Sequence, residues 1–220
     1  MKKRIFTLLG IFSMVLLVSV SLTSCSDDDE STPDAGNDDA DNDLSDLVWD
    51  PYKFNANTYF AYSFSMEQGD EYQMQGTAEI IIEDPAVTIK YVVNGDEVES
   101  TVNNSDDISV NYQNAVTVTP LGGILYQGQW ITMFSGNDLE VGNSWNFDSD
   151  DGTMHFEVSG TESIAGIEGK LIEMDLTKDG ETQLIWSTVV NTEIPLPLKS
   201  HIEHYRDNFI YTVELTDYQE

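Results

Sequence analysis

Downstream of Pro51 the chain consists of short runs in which apolar and polar residues alternate. The runs are rich in Val, Ile, Thr, Tyr and Phe, and turn pairs separate them at roughly ten-residue intervals, which is typical of an antiparallel sheet. Helical spacing of apolar residues does not persist over more than about eight residues. The pattern therefore predicts an all-β fold with meander connections and little helix. The strongest candidate for a helical turn is Gln129–Phe134.

The turn pair Asn94-Gly95 allows the register of one hairpin to be predicted, because Asn-Gly favours a two-residue type I′ turn. The resulting pairs are Val93 with Asp96, Tyr91 with Val98, Ile89 with Ser100, Val87 with Val102, Lys90 with Glu99, and Thr88 with Thr101. The apolar residues then share one face, while the charged pair and the threonines share the other. Cross-strand energetics favours this arrangement.

A second turn, Asp179-Gly180, places Lys178 opposite Glu181. Uninterrupted alternation assigns one face to Leu176, Met174, Ile172, Ile185 and Val189, and the other to Glu173, Asp175 and Thr188. On this count Trp186 lies on the more polar face, beside Glu173.

A third turn, Asp207-Asn208, defines the last hairpin. It pairs Arg206 with Phe209, His204 with Tyr211, Ile202 with Val213 and Ser200 with Leu215, and it places His201 opposite Glu214. The second half of the chain is thus predicted as a meander with strands at 153–163, 168–178, 181–191, 198–206 and 209–218. Pro195 and Pro197 cannot donate to a ladder, so they belong to the connection before residue 198 or to a sheet edge.

The N-terminus has the pattern of a secretory signal. Two lysines and an arginine at 2–4 precede an uncharged apolar run at 5–22, and Cys25 stands where acidic residues begin. The run is near the lower length limit for crossing a bilayer, so a retained transmembrane helix is the alternative. Serines in its distal half and the cysteine at its boundary favour cleavage. Residues 1–24 are therefore predicted to be a signal peptide.

Leu22-Thr23-Ser24-Cys25 resembles the lipobox of bacterial lipoproteins, and the residues behind it resemble the surface-export tag of lipoproteins from Bacteroidota-type envelopes. The tag comprises Ser26, Asp27, Asp28, Asp29 and Glu30. The resemblance implies cleavage before Cys25, a diacylglyceryl group on its thiol and an acylated new N-terminus. It also implies recognition by the lipoprotein export machinery and a location at the outer membrane or cell surface. Several acyl chains would make the attachment permanent, since one chain binds a membrane only marginally.

The acidic residues all lie outside the predicted signal peptide, which carries only basic charges. All 40 acidic residues follow Cys25 and three of the nine basic residues precede it, so the mature chain carries 6 − 40 = −34 charges. Such a field repels nucleic acid and anionic membrane surfaces. With a single cysteine the chain has no internal disulfide, and its sequence predicts no cofactor.

Residues 26–50 contain eleven acidic residues and no Lys or Arg. Such a segment is predicted to be a disordered spacer, with a calcium-binding acidic tract as the alternative. Leu47, Val48 and Trp49 mark the start of the folded part, by packing onto it. The predicted organisation is a lipidated cysteine and tether over 25–50, followed by a single β domain over 51–220.

Several short motifs resemble an uncharacterised family of bacterial envelope proteins thought to share the curved β half-barrel of the LolA/LolB lipoprotein carriers. They are Val141-Gly142-Asn143-Ser144-Trp145-Asn146-Phe147, Gly160-Thr161-Glu162, Trp186, and Ile194-Pro195-Leu196-Pro197-Leu198. The likeness covers roughly 55–218 and implies a curved antiparallel sheet, a half-barrel or open barrel with an apolar concave face. It implies no catalytic residue. The chain departs from the carriers in lacking an obvious long helix to fill that face.

The sequence offers little for catalysis or metal binding. His201 and His204 could suggest a metal pair, but residues three apart on a strand point to opposite faces, so no metal site is predicted. Gly-x-Ser-x-Gly is absent. The abundance of acids leaves a carboxylate hydrolase as an alternative to the predicted non-enzymatic role. Asp148–Gly152 is predicted to be a hairpin turn and Asn103–Asp107 a loop, each with a cation site as the alternative.

Aromatic residues form the other candidate site. Tyr126, Trp130, Met133, Phe134, Trp145 and Phe147 cluster around Gly-rich turns. Together with Trp186 they are predicted to face an apolar ligand or an envelope partner on the concave face, with ordinary core as the alternative. A carbohydrate-binding accessory lipoprotein of a surface polysaccharide-uptake system is the second functional hypothesis. It rests on exposed aromatic residues, with Trp130 and Trp186 as the ones to test, and on the export tag.

Overall fold

A computed structural model describes residues 48–70, 72–117, 136–149 and 152–220. Predictions for the signal peptide, Cys25, the export tag, the tether and the helical turn at 129–134 lie outside the described residues. The same holds for Leu47, Tyr126, Trp130 and Phe134. Within the described ranges, no helix has the length and hydropathy to cross a membrane.

The described residues form ten strands and one helix. They are β1 (Thr58–Gln68), β2 (Tyr72–Glu83), β3 (Ala86–Val93), β4 (Asp96–Val102), α1 (Ile108–Thr117), β5 (Ser144–Ser149), β6 (Gly152–Ile164), β7 (Ile167–Lys178), β8 (Glu181–Val190), β9 (Lys199–His204) and β10 (Phe209–Gln219). The predicted meander is confirmed to within two residues at nearly every strand end. Pro195 and Pro197 lie in the connection between β8 and β9, as predicted.

All ten strands belong to one antiparallel sheet with the order β4-β3-β2-β1-β10-β9-β8-β7-β6-β5. The pairing of β1 with β10 joins the two halves of the chain, and the sheet does not close into a barrel. Strands β6 and β10 approach each other although three strands separate them, because the sheet is curved. The predicted all-β fold with a curved antiparallel sheet is thus confirmed.

The predicted register of the β3–β4 hairpin is confirmed at every pair. On its outer face the Thr88 and Thr101 hydroxyls are 2.8 Å apart, and Lys90 Nζ lies 3.6 Å from a Glu99 carboxylate oxygen. Because β4 is an edge strand, its own side chains stay largely exposed. The turn geometry and the period of two were sufficient to fix this hairpin.

The β7–β8 hairpin closes at Lys178 and Glu181 as predicted, but the predicted face of Trp186 is wrong. A bulge lets Gln183 enter β8 without a partner on β7, so that Leu176 pairs with Leu184 and Met174 with Trp186. One extra residue moves every later side chain to the opposite face. Trp186 therefore shares the buried face with Met174. Leu176, Met174 and Ile172 keep their predicted face, whereas Ile185 and Val189 do not share it.

The predicted register of the β9–β10 hairpin is wrong by two residues. His204, not Arg206, pairs with Phe209, and His201 faces Thr212 instead of Glu214. The loop has four residues (205–208), within which the Asn208 N–H donates to Tyr205 O and Asn208 adopts a φ of 47°. Longer hairpin loops of this kind are common. Because the shift is even, each side chain keeps its face.

The helix α1 was not predicted. Asp107 begins it, because its carboxylate accepts a hydrogen bond of 2.8 Å from the Ser109 N–H, as an N-cap residue does. Tyr112, Ala115 and Val116 form its buried stripe. Asn, Ser, Thr and Val have only modest helix propensity, so the buried contacts and the cap determine this helix. The segment before it, 103–107, is a loop as predicted.

Candidate functional site

Cross-strand pairing arranges the side chains of the buried face, here called the inner face, into rows that run across the strands. At the end of the sheet that carries the β1–β2, β7–β8 and β9–β10 turns, the outermost row is the rim row. It consists of Phe147, Met154, Leu176, Leu184, His204, Phe209, Gln68 and Tyr72. Seven of these eight side chains are partly exposed, Met154 being the buried one. We call this end the open end.

Behind the rim lies the second row, which is nearly all apolar or aromatic. It consists of Trp145, Phe156, Met174, Trp186, Ile202, Tyr211, Met66 and Met74. Six of the eight are buried, and only Trp145 and Ile202 retain partial exposure. Three methionines in one row give a surface that can adapt its shape, because the thioether chain is flexible and polarizable.

The opposite end of the inner face, the closed end, is covered by three segments. They are 49–54, α1, and the connection 194–198. Trp49 is fully buried in the core and its indole N–H donates to Ile194 O at 2.7 Å, so Trp49 packs onto the folded part as predicted. The Tyr62 hydroxyl donates to Pro197 O at 3.0 Å.

Helix α1 is joined to the closed end through Tyr112 and Asn111. The Tyr112 ring lies 4.9 Å from that of Phe54 and 5.6 Å from that of Tyr52. The buried Asn111 amide donates to Pro85 O and Ser105 O and accepts from the backbone N–H groups of Asn104 and Ser105. Aromatic packing and side-chain hydrogen bonds therefore both attach α1 to the closed end.

Three of the predicted ligand-facing residues come together on the inner face. Trp145 stacks on Phe156 at a centroid distance of 5.3 Å and an interplanar angle of 3°. Phe147 belongs to the rim row, whereas Trp186 is only 2% exposed. A side chain buried to that extent presents no ring face to a sugar, so Trp186 does not serve the carbohydrate hypothesis.

Sequence reasoning missed several members of these rows, chiefly Met174, Tyr211, Leu184 and Phe209. Alternation from the Asp179-Gly180 turn already placed Met174 on the apolar face and could have added it to the set. No comparable signal existed for Leu184, because the bulge at Gln183 decides its face. Tyr211 lies between Ile202 and Met66 in the second row, whereas the predicted register pairs it with His204 instead.

Two polar atoms on the inner face are buried and have no hydrogen-bond partner within the described part of the chain, Trp145 Nε1 and Tyr211 Oη. Burial raises the pKa of Tyr211 well above its ordinary value of 10.0, so its hydroxyl keeps its proton at neutral pH. An indole N–H can only donate, and a protonated hydroxyl can donate. The open half of the inner face thus holds two donors without acceptors.

On the outer face, His201 joins two other side chains in an arrangement that could suggest catalysis. Its Nδ1 lies 2.8 Å from the Thr212 hydroxyl and its Nε2 lies 3.1 Å from Glu203 Oε1. This is the connectivity of a nucleophile, a base and an orienting acid. However, β9 and β10 lie inside the sheet, where the ladder occupies their backbone N–H groups, so no pair of amides is available for an oxyanion.

Within the described ranges, no group of three or more His, Cys, Asp or Glu side chains is placed to hold a metal ion. His201 lies on the outer face and His204 on the inner face, as the strand geometry predicted. The outer face also carries a groove of about 690 Å³ floored by small polar residues, among them Ser63, Ser65 and Thr77. Glu214 also lines this groove, and its Oε2 lies 3.8 Å from Lys199 Nζ.

No protein-family model matches the sequence, and no curated protein matches it. Similar solved structures include the MucA/MucB complex of Pseudomonas aeruginosa, at 16% identity and a TM-score of 0.39 over 80% of this chain and 56% of that chain. A LolA superfamily protein from Nitrosomonas europaea is 8% identical, with a TM-score of 0.25 over 80% and 90% of the two chains. A protein with a YmcC-like fold from Bacteroides fragilis is 8% identical, with a TM-score of 0.31 over 79% and 100%. The chain spans about half the length of the MucA/MucB chain that it matches. These TM-scores are low, and nothing about function is inferred from them.

Proposed function

We propose that the protein is a non-enzymatic, lipid-anchored envelope protein that binds an apolar ligand or an envelope partner on its inner face, through the open end. The observation that carries this proposal is the rim row, in which apolar side chains such as Leu176, Leu184 and Phe209 stay partly exposed beside the buried second row. Solvent exposure of contiguous apolar side chains is unfavourable unless another surface covers them.

The contrast between the two ends supports the proposal. Three segments cover the closed end, whereas the rim side chains of β7, β8 and β10 remain accessible. Ligand sites are typically apolar surfaces with a few polar groups, and the open half of the inner face is apolar and carries two buried donors, Trp145 Nε1 and Tyr211 Oη. Its methionines and aromatic rings suit ligands of irregular shape.

Nile red, a neutral apolar dye, provides the first test. We expect the wild-type protein, purified without detergent, to bind the dye, and Leu184→Asn to weaken the binding roughly fivefold because part of a leucine surface is lost from the site. Ile210→Asn is the matched control, since Ile210 is 38% exposed on the outer face of the neighbouring hairpin. Its binding should equal that of the wild type. Equal loss in both variants, or no binding by the wild type and no lipid in its native mass spectrum, would overturn the proposal.

The anchor is proposed to be Cys25, with Ser26–Glu30 as the export tag, which would place the protein at the outer membrane or cell surface. The lipobox resemblance and the apolar run before it support this assignment. We expect Cys25→Ala to abolish lipid attachment and to prevent cleavage before residue 25. Ser24→Ala, which retains a small residue before the cysteine, should leave both unchanged. Membrane attachment and normal cleavage of Cys25→Ala would contradict the assignment.

A further inference from the structure

The strand β4 (Asp96–Val102) forms one edge of the sheet and has few of the features that normally protect an edge strand from pairing. It contains no proline and no lysine, and it pairs with β3 along its whole length without a bulge. Five of its seven residues are exposed, among them Val98 at 43%. An edge of this kind is a template for a further strand.

The two-residue turn before β4 determines which of its backbone groups point away from β3. Such a turn closes on a hydrogen-bonded pair, here Val93 with Asp96, and hydrogen-bonded pairs then alternate along the ladder. The N–H and C=O groups of Glu97, Glu99 and Thr101 therefore point to the free side of β4. No backbone group of the described residues pairs with them there. Three residues of β4 thus offer a donor and an acceptor each to another strand.

The side chains of this edge specify the chemistry of a strand that would fit it. Glu97 and Glu99 lie on the outer face, where Glu99 shares its charge with Lys90 at 3.6 Å and Glu97 has no ion-pair partner among the described residues. Val98 lies between them on the inner face. Cross-strand pairs of opposite charge are stabilising and pairs of like charge are destabilising. The edge therefore favours Lys or Arg opposite the glutamates and an apolar residue opposite Val98.

We propose that the free edge of β4 is a docking site for an extended basic segment of a partner protein, which adds to the sheet as an antiparallel strand and alternates Lys or Arg with apolar residues. Backbone hydrogen bonds to Glu97, Glu99 and Thr101 supply affinity, and the two glutamates select the basic side chains. A second copy of the chain is disfavoured at this edge, because a mature chain of −34 charges repels its own kind. The inference does not rest on the proposed function, since it uses the edge of the sheet and not the rows of the inner face.

The peptide Thr-Lys-Val-Lys-Val-Thr, blocked at both ends and carrying a neutral fluorophore, is the probe. Its binding to the wild-type protein is measured by fluorescence anisotropy at low ionic strength. We expect N-methylation of both lysines to weaken binding about tenfold or more, because the N–H groups of these residues join the ladder. N-methylation of both valines should change the affinity by less than about twofold, since their N–H groups face away from β4.

The double substitution Glu97→Gln with Glu99→Gln should weaken binding of the unmethylated peptide roughly two- to tenfold, because each exposed charge pair contributes modestly. Added salt should reduce this difference, since it screens exposed charges. Glu157→Gln with Glu173→Gln is the matched control, because these exposed glutamates pair on the outer face of two interior strands. Its affinity should equal that of the wild type.

Four outcomes would overturn the inference. They are equal loss in the two double variants, equal binding of the two N-methylated peptides, equal binding of the acidic peptide Thr-Glu-Val-Glu-Val-Thr, and no binding of the unmethylated probe by the wild type. Equal binding of the N-methylated peptides would mean that the basic segment is held by charge alone and not as a strand. None of these outcomes affects the binding of Nile red, so the proposed function is tested separately.

Discussion

The two ends of the inner face each carry buried tryptophan and tyrosine side chains, but they differ in what surrounds the polar atoms. At the closed end Trp49 and Tyr62 donate to carbonyls of the connection 194–198. At the open end Trp145 and Tyr211 have buried donors without an acceptor in the described residues. The same strands contribute to both ends, so the difference comes from the segments that cover the closed end.

This difference separates stability from binding. Full burial and satisfied hydrogen bonds maximise the contribution of a residue to folding. Partial exposure and unsatisfied donors reduce that contribution, and a site that must receive another molecule retains such features. Substitutions should therefore destabilise the fold most at the closed end and alter binding most at the open end.

The largest expected effect is that of Trp49→Ala. We expect a loss of about 3–5 kcal/mol in the free energy of unfolding, because a fully buried indole leaves a cavity and Ile194 O loses its donor. Trp49→Phe keeps most of the ring contacts and should lose about 1–3 kcal/mol. Urea unfolding followed by circular dichroism measures both. A loss below that of any rim substitution would contradict the assignment of the closed end.

The second-largest loss in the free energy of unfolding is expected for Asn111→Ala. The Asn111 side chain connects α1 to Pro85 and to the loop before the helix through four hydrogen bonds. We expect a loss of about 2–4 kcal/mol, since several buried backbone groups would be left unsatisfied. Asn114→Ala, at an exposed position of the same helix, is the control and should change stability by less than about 0.5 kcal/mol. Equal effects of the two substitutions in urea unfolding would show that the network is not needed.

Leu184→Ala should have the smallest effect of the three. Its side chain is only partly buried in the rim row, so we expect a loss of about 1–2 kcal/mol in urea unfolding. The affinity for Nile red should fall in the same variant, whereas Asn111→Ala should leave the affinity of the folded protein unchanged, because Asn111 contacts Pro85 and the loop before α1. If Leu184→Ala left the affinity for Nile red unchanged while the closed-end variant lowered it, the two ends would not differ in function as proposed.

Local signals in the sequence were sufficient for much of the fold. Alternation of apolar and polar residues gave the meander strands, and Asn94-Gly95 gave the β3–β4 register pair by pair. Both depend only on neighbouring residues, because side chains alternate along a strand and a two-residue turn fixes its flanking pair. The even shift at β9–β10 changed partners, but it did not change faces.

Non-local contacts decided the candidate site. The unpaired Gln183 turned Trp186 to the inner face, and the pairing of β1 with β10 brought Met66 beside Tyr211. Helix α1 lacks a strong intrinsic pattern and is held by its cap and by buried contacts. Thus the sequence by itself determined an antiparallel sheet and most of its strands. Only the tertiary structure decided which side chains share a row and which donors lack acceptors, because these depend on single-residue bulges and on pairing between distant strands.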